Sequence, residues 1–230
     1  MNQALVEKTK EVISSISTME AIKPYFLVGG TALAIQLEHR LSEDLDFMRW
    51  QKTKNENMEV DIRAIEKELV QKNHTIQSKD IFEFNHVEFF IDNGVKLSFY
   101  APEKRAPIIK TTPYINNINL LDIDTIAVLK METMLRRSNF RDYYDLYFIL
   151  KDKKPNEIVA IIDNALKYSG HSLKSKNLLG KLVNYEQFKP DSEFKQLEAK
   201  STIIAKEIAQ FMNEKVKTAY QKSKIVNLKS

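Results

Sequence analysis

Apolar positions along this chain change period several times, and each change marks out an element. Leu5, Val12, Ile13 and Ile16 recur at helical spacing, which predicts an amphipathic helix over residues 4–18. Tyr25 to Val28 is a short continuous apolar run, read as a buried strand, and Gly29-Gly30 stops it. Thr31-Ala32-Leu33-Ala34-Ile35 then begins a helix whose first backbone amides face whatever lies beside the glycines. Leu45 to Met48 is a second strand, and residues 58–72 form a helix with Val60, Ile62, Ile65 and Leu69 as its apolar positions. Phe82 to Ile91 and Val95 to Tyr100 flank Asp92-Asn93-Gly94, a turn signal that predicts an antiparallel hairpin.

The pattern changes after Pro113 and Asn116-Asn117, and from Asp122 onward nearly all of it has helical spacing. Asp122 is placed as the cap of a helix containing Ala127, Leu129, Met131 and Met134; further helices cover Arg141 to Leu150 and Asn156 to Tyr168. Gly170, Gly180 and Pro190 punctuate this half. The expected architecture is α/β in the α+β sense: a mixed-sheet core over residues 1–115 and a mostly helical lobe over 116–230.

Composition narrows the chemistry. With 43% apolar and 29% charged residues the chain is ordinary for a folded protein. No apolar run nears the roughly 20 residues needed to span a bilayer, and Met1 to Lys10 lacks the apolar core of a signal peptide, so a cytoplasmic protein with no membrane partner is expected. The absence of cysteine excludes disulfides, thiolate zinc sites and a cysteine nucleophile, and the four histidines have no metal-ligand spacing. Any metal therefore falls to carboxylates. The net charge of +4 is too small to establish nucleic-acid binding, but Arg136, Arg137 and Arg141 form one basic run, and Lys215, Lys217, Lys222, Lys224 and Lys229 another. Either run could meet phosphates; a lysine-rich terminus is as readily a solvated tail.

Asp44-Leu45-Asp46 is the candidate chemical centre, because alternate residues of a strand project to one face and two carboxylates then converge. Such a pair suits magnesium, which keeps waters and completes its shell from substrate phosphates. Alone, the triplet is common on charged surface strands. Here it follows two of the chain's five glycines, in a turn that lets a backbone approach closely and aims amides at phosphate oxygens, with Thr31 adding a hydroxyl.

Phe26-Leu27-Val28-Gly29-Gly30-Thr31-Ala32-Leu33, then His39-Arg40-Leu41-Ser42-Glu43-Asp44-Leu45-Asp46-Phe47, closely resembles the AbiEii/AbiGii toxin family of nucleotidyltransferases, within the DNA polymerase β-like superfamily. Thirteen residues separate Gly30 from Asp44. A second block, Ala127-Val128-Leu129-Lys130, Arg136-Arg137 and Arg141-Asp142-Tyr143-Tyr144-Asp145-Leu146-Tyr147, also resembles the family; the two blocks together span about residues 22–150. The resemblance implies that Lys130 contacts nucleotide phosphate and that Asp142 faces the same cleft, with Asp145 the weaker choice; Arg141-Asp142 and Asp145 are also spaced like a helical salt-bridge cluster, which leaves a purely structural role open for one of the acids. Tyr143, Tyr144, Tyr147 and Phe148 read as core, and His39 as structural. The superfamily's third carboxylate is missing: Val95-Lys96-Leu97-Ser98-Phe99 carries Ser98 there, and Asp92 or Glu88 could substitute geometrically although neither lies at the expected alternation of that strand.

The expected reaction is attack of an acceptor hydroxyl on the α-phosphorus of a nucleoside triphosphate, with release of pyrophosphate. Asp44 and Asp46 would hold Mg2+ or Mn2+; Gly29, Gly30, Thr31 and Ser42 would cradle phosphates; Arg40 would orient nucleotide or acceptor; Lys130 would oppose developing charge. From the resemblance, the biology is the toxin half of a toxin–antitoxin or phage-defence pair, with a cognate antitoxin as partner and RNA, such as the 3′ end of transfer RNA, as acceptor. Two alternatives stay open: a catalytically silent nucleotide- or RNA-binding module on the same fold, and a transferase acting on a protein or small molecule.

Overall fold

The computed structural model describes residues 3–92, 94–106, 110–134, 136–170, 174–188, 194 and 197–227, the side chains of 224–227 excepted. These residues divide into two compact units, Met1–Asp122 and Ile123–Ser230.

The first unit is a seven-stranded mixed sheet with helices α1 (Glu7–Ile16), α2 (Gly29–Leu37) and α3 (Ile62–Gln71). Its strands are β1 (Phe26–Leu27), β2 (Leu45–Met48), β3 (Ile76–Glu83), β4 (His86–Ile91), β5 (Val95–Tyr100), β6 (Thr111–Ile115) and β7 (Ile118–Leu121), in the order β3-β4-β5-β2-β1-β7-β6. β1 runs antiparallel to β2 and parallel to β7, while β2 runs parallel to β5. The hairpin expected around Asp92 and Gly94 forms between β4 and β5; Asn93 lies outside the described residues.

Alternation along β2, β4 and β5 explains the layering. Leu45, Phe47, Val87, Phe89, Ile91, Val95, Leu97 and Phe99 are all buried, and Phe47 stacks on Phe99 at 5.2 Å. The residues between them, Asp46, Met48, His86, Glu88, Phe90, Lys96 and Tyr100, are half-buried, and among them only Ser98 falls to 8% exposure. One face of these strands is therefore core and the other is partly accessible. Asp61 caps α3 by accepting from the Ala64 amide at 3.0 Å, so that helix starts at Ile62 and leaves Val60 in the preceding loop.

Three strands lie outside the sequence expectation. β3 is an edge strand of mostly exposed residues, so burial imposes no alternation on it. β6 is the other edge, where Pro113 deprives the sheet of no interior hydrogen bond, and Asn116 (φ 45°) with Asn117 turns the chain into β7. Asn116 Nδ2 donates to Ser17 Oγ at 2.7 Å and Asn117 Nδ2 to the Met19 carbonyl at 2.8 Å, tying this hairpin to the end of α1. Residues 116–122 thus complete the sheet of the first unit, and the division falls at Asp122/Ile123 rather than at 115/116.

The second unit contains α4 (Ile123–Thr133), α5 (Phe140–Leu150), α6 (Pro155–Tyr168), α7 (Ser175–Val183) and α8 (Ala205–Phe211), which continues through a π-helical stretch, Met212–Lys217, into α9 (Thr218–Asn227). Its core is aromatic: Tyr143 stacks on Phe188 at 4.1 Å, and Tyr144 packs against Phe140, Phe148 and Phe194. Tyr147 sits edge-on to Phe211 at 5.1 Å. Gly170, at φ 65°, follows the end of α6, but Gly180 lies inside α7 and interrupts nothing; Pro190 falls outside the described residues. The basic C-terminal run is helical through Asn227, and Lys229 is likewise outside the described residues. No helix among the described residues is long and apolar enough to cross a membrane.

Candidate active site

In the first unit the strand–glycine–helix turn is built against the acidic strand. The Val28 amide donates to the Asp46 carbonyl at 2.8 Å, which draws the turn onto β2. Gly29 follows at φ +68°, and a Cβ there would lie 2.7 Å from Asp46 Oδ2. Glycine is thus required twice, for its backbone angle and for the carboxylate's closeness. Gly29→Ala is expected to cost about 1–2 kcal/mol of stability from the left-handed backbone and to slow catalysis about 100-fold by displacing Asp46. Denaturation and transfer assays on the same sample check both; a variant active at the parental rate would show that the close approach is incidental.

Asp44 immediately precedes β2 rather than lying within it, and its backbone is held from behind. Thr31 Oγ1 donates to the Asp44 carbonyl and pairs with Ser42 Oγ at 2.7 Å. Since the single Thr31 proton goes to that carbonyl, Ser42 is the donor of the second bond. Both side chains are buried, at 1% and 6% exposure, so the hydroxyls expected to cradle phosphate instead brace the loop carrying Asp44. Arg40 is also buried; its guanidinium lies against Gly30, where a Cβ would strike Nη2, and Nη1 donates to the Leu41 carbonyl at 2.8 Å. His39 is fully buried, in line with a structural role.

What the acids face was not legible in the sequence. Lys96 of β5 places Nζ 3.4 Å from Asp44 Oδ2 and 3.9 Å from Glu88 Oε1. Burial opposes the Lys96 charge, but Asp46, Asp44 and Glu88 outweigh it and raise its pKa. One ammonium therefore senses three carboxylates, which places Asp44 and Asp46 on a common side. The register explains this: Asp46 pairs with Ser98, and Ser98 with Glu88, so the three form a row across β2, β5 and β4, with Lys96 two residues along from Ser98. Glu88 thus stands beside Ser98, on the neighbouring strand. Asp92 is spent elsewhere, binding His74 Nδ1 at 2.6 Å and the Thr75 amide at 2.9 Å. The sequence offers Glu88 only as one of two possible substitutes and does not single out Lys96, because their positions depend on inter-strand register.

The donor set suits a hard divalent cation. Among the described residues no three His, Cys, Asp or Glu side chains gather as ligands, so the site offers two carboxylates and leaves the remaining positions to water and substrate oxygens.

The second unit holds its own charged cluster. Lys130, at 7% exposure, sits 2.9 Å from Asp142 Oδ1 and 2.6 Å from Asp145 Oδ2, and both carboxylates are buried. Arg137 forks onto Asp142, with Nε to Oδ2 at 2.8 Å and Nη2 to Oδ1 at 3.2 Å. Arg136 pairs with Glu132. Burial pushes the Asp142 pKa up, but the charges of Lys130 and Arg137 and their hydrogen bonds outweigh it, and the value falls below the ordinary 3.8. A carboxyl with a depressed folded pKa stabilises the fold above its unfolded pKa and loses that contribution as pH falls through the folded value. Asp142→Asn is therefore expected to be less stable than the parent at neutral pH, with the gap closing only below pH 3.8. Urea denaturation across pH measures this, and a gap that closed near pH 6 would refute it.

Comparison with known proteins agrees over nearly the whole chain. Residues 13–222 match the family described as nucleotidyl transferase AbiEii toxin of type IV toxin–antitoxin systems. An uncharacterised protein of Aquifex aeolicus, aq_aa25, is 29% identical over 150 residues, covering 64% of this chain and 68% of its own. The crystal structure of JHP933 from Helicobacter pylori has the same fold, with a TM-score of 0.57 at 17% identity over 98% of this chain and all of that one. A candidate nucleotidyltransferase from H. pylori aligns at 0.57 and 18% identity over 96% of this chain and 98% of its own.

Proposed function

The chain belongs to the AbiEii nucleotidyltransferase toxin family, and on that premise we propose that it transfers a nucleotide from a nucleoside triphosphate to the hydroxyl of an RNA end. The observation that carries this is the glycine turn held against Asp46, with Asp44 beside it and Lys96 drawn between the acids. Asp44 and Asp46 would hold a Mg2+ or Mn2+ ion, which when bound offsets triphosphate charge. The amides opening α2, beyond Gly29 and Gly30, are the donors offered to phosphate oxygens. Thr31 and Ser42 keep Asp44 in place, and Arg40 supports the Gly30 backbone from behind. Glu88, on the partly accessible face beside Ser98, is our choice for the group that accepts the proton of the attacking hydroxyl. Lys130, held by Asp142 and Asp145 within the second unit, is proposed as a phosphate-contacting cation, as the family resemblance implies. A cognate antitoxin is the expected protein partner.

The ion pair of Lys96 with Asp44 also favours a second reading, since a silent nucleotide-binding module would keep its acids neutralised internally. One experiment separates them: the purified chain is incubated with each α-labelled triphosphate, a divalent cation and total RNA, then resolved on a denaturing gel. Label in RNA supports the transferase; triphosphate binding without transfer, to RNA or to any protein or small molecule, supports the silent module.

A further inference from the structure

The partly accessible face of the sheet carries a second row beside the acidic one. His86 of β4 pairs in register with Tyr100 of β5, and Tyr100 with Met48 of β2, each two residues along its strand from Glu88, Ser98 and Asp46. Across β3, Phe82 stacks on His86 at 4.7 Å and 27°, and His86 meets Tyr100 at 5.2 Å. These rings keep part of their surface accessible: Phe82 is 57% exposed, and His86 and Tyr100 are half-buried. Two residues of strand separate the rows by roughly 7 Å.

We infer that Phe82, His86 and Tyr100 form a stacking platform for unpaired bases at the end of a single-stranded nucleic acid acceptor, presenting its hydroxyl to the acidic row. This rests on the transferase reading of that row. Exposed rings on a sheet face suit bases, because every base has a π-face and stacking needs no edge-specific partner. Charge supports the choice of occupant. The chain leaves Tyr100 through an exposed Glu103, Lys104 and an exposed Arg105, and the Lys104 carbonyl accepts from the Gln51 amide at 3.2 Å, which sets this net basic segment near the end of β2 that adjoins the aromatic row. Phosphates of the stacked strand would find cations there, while its terminal hydroxyl reaches the acids. Direct continuity with Asp46 and Glu88 on the same face separates this surface from a mere apolar patch.

The test is fluorescence anisotropy of the full chain with a labelled 12-nucleotide oligoadenylate RNA and with an abasic oligomer of the same length and charge. The parent should bind the base-bearing probe more tightly, and Phe82→Ala and His86→Ala should each weaken it by about tenfold or more without changing the weaker abasic binding. Phe82→Tyr, which keeps a ring, should retain affinity. Phe82 is largely exposed, so its replacement leaves the fold intact, as a melting curve would verify. Equal parental affinity for both probes, or parental affinity in both alanine variants, overturns the platform. Triphosphate binding by the same samples keeps the two readings apart. A parent that binds oligoadenylate through the rings but no triphosphate sinks the transferase and leaves the platform, whereas transfer without ring-dependent binding does the reverse.

Discussion

Replacing Asp46 with Asn is expected to cut nucleotide transfer by about 10²–10³-fold or more, and Asp44→Asn to do the same, because in the proposed reaction each supplies a charge that would hold the cation against the reacting phosphates. Both variants should fold. Asp44 is partly exposed and its link to Lys96, at 3.4 Å, is a pair of the kind worth roughly 0–1 kcal/mol in water-exposed settings. The Asp46 backbone, which holds Val28, is unaffected by changing its side chain. Glu88→Gln should lower the transfer rate while leaving triphosphate affinity near parental, as expected of a group that acts on the acceptor proton. Rate and melting temperature measured on one preparation decide the matter. Transfer at the parental rate by either aspartate variant would remove the metal-site assignment, and a large drop in melting temperature would make that aspartate a structural residue.

The largest stability effect is expected at Lys130. Its ammonium neutralises two carboxylates whose side chains are 4% and 0% exposed, and no solvent is at hand to replace it. Removing one partner of a buried ion pair typically costs about 3–5 kcal/mol, because charge is left in a poorly polarisable interior. Lys130→Ala should therefore lower the melting temperature by about 10 °C. Asp142 would keep the Arg137 fork, so the larger burden falls on Asp145. Combining Lys130→Met with Asp145→Asn, which restores apolar volume and removes the stranded charge, should recover part of the loss. A single variant that melts within a degree of the parent would show that the cluster does not hold the second unit together. The sequence offers Lys130 only as a phosphate-contacting cation; its burial between two acids adds a stabilising role within the second unit.

Much of the first unit was legible because its signals are local. Leu45 to Met48 alternates within four residues, Asp92 to Gly94 encodes its own turn, and the glycine run stops a strand wherever it is placed. The edge strands were not legible. β3 has no buried face to impose a period, and Pro113 in β6 is compatible with a strand only at a sheet edge, which the sequence cannot locate. The lobe boundary shifted for the same reason, since residues 116–122 look like a linker until β7 is seen beside β1.

By itself, then, the sequence determined the strand–glycine–helix turn, the acidic triplet after it and the helical character of the second half, because dihedral preference, side-chain alternation and helical period act over a few neighbouring residues. Only the tertiary structure decided that Gly29 is pressed against Asp46, that Thr31 and Ser42 are braces, that Lys96 and Glu88 join the acids, and that Asp142 and Asp145 share Lys130. Strand register and burial decide those facts, and both arise from contacts between segments distant in the chain.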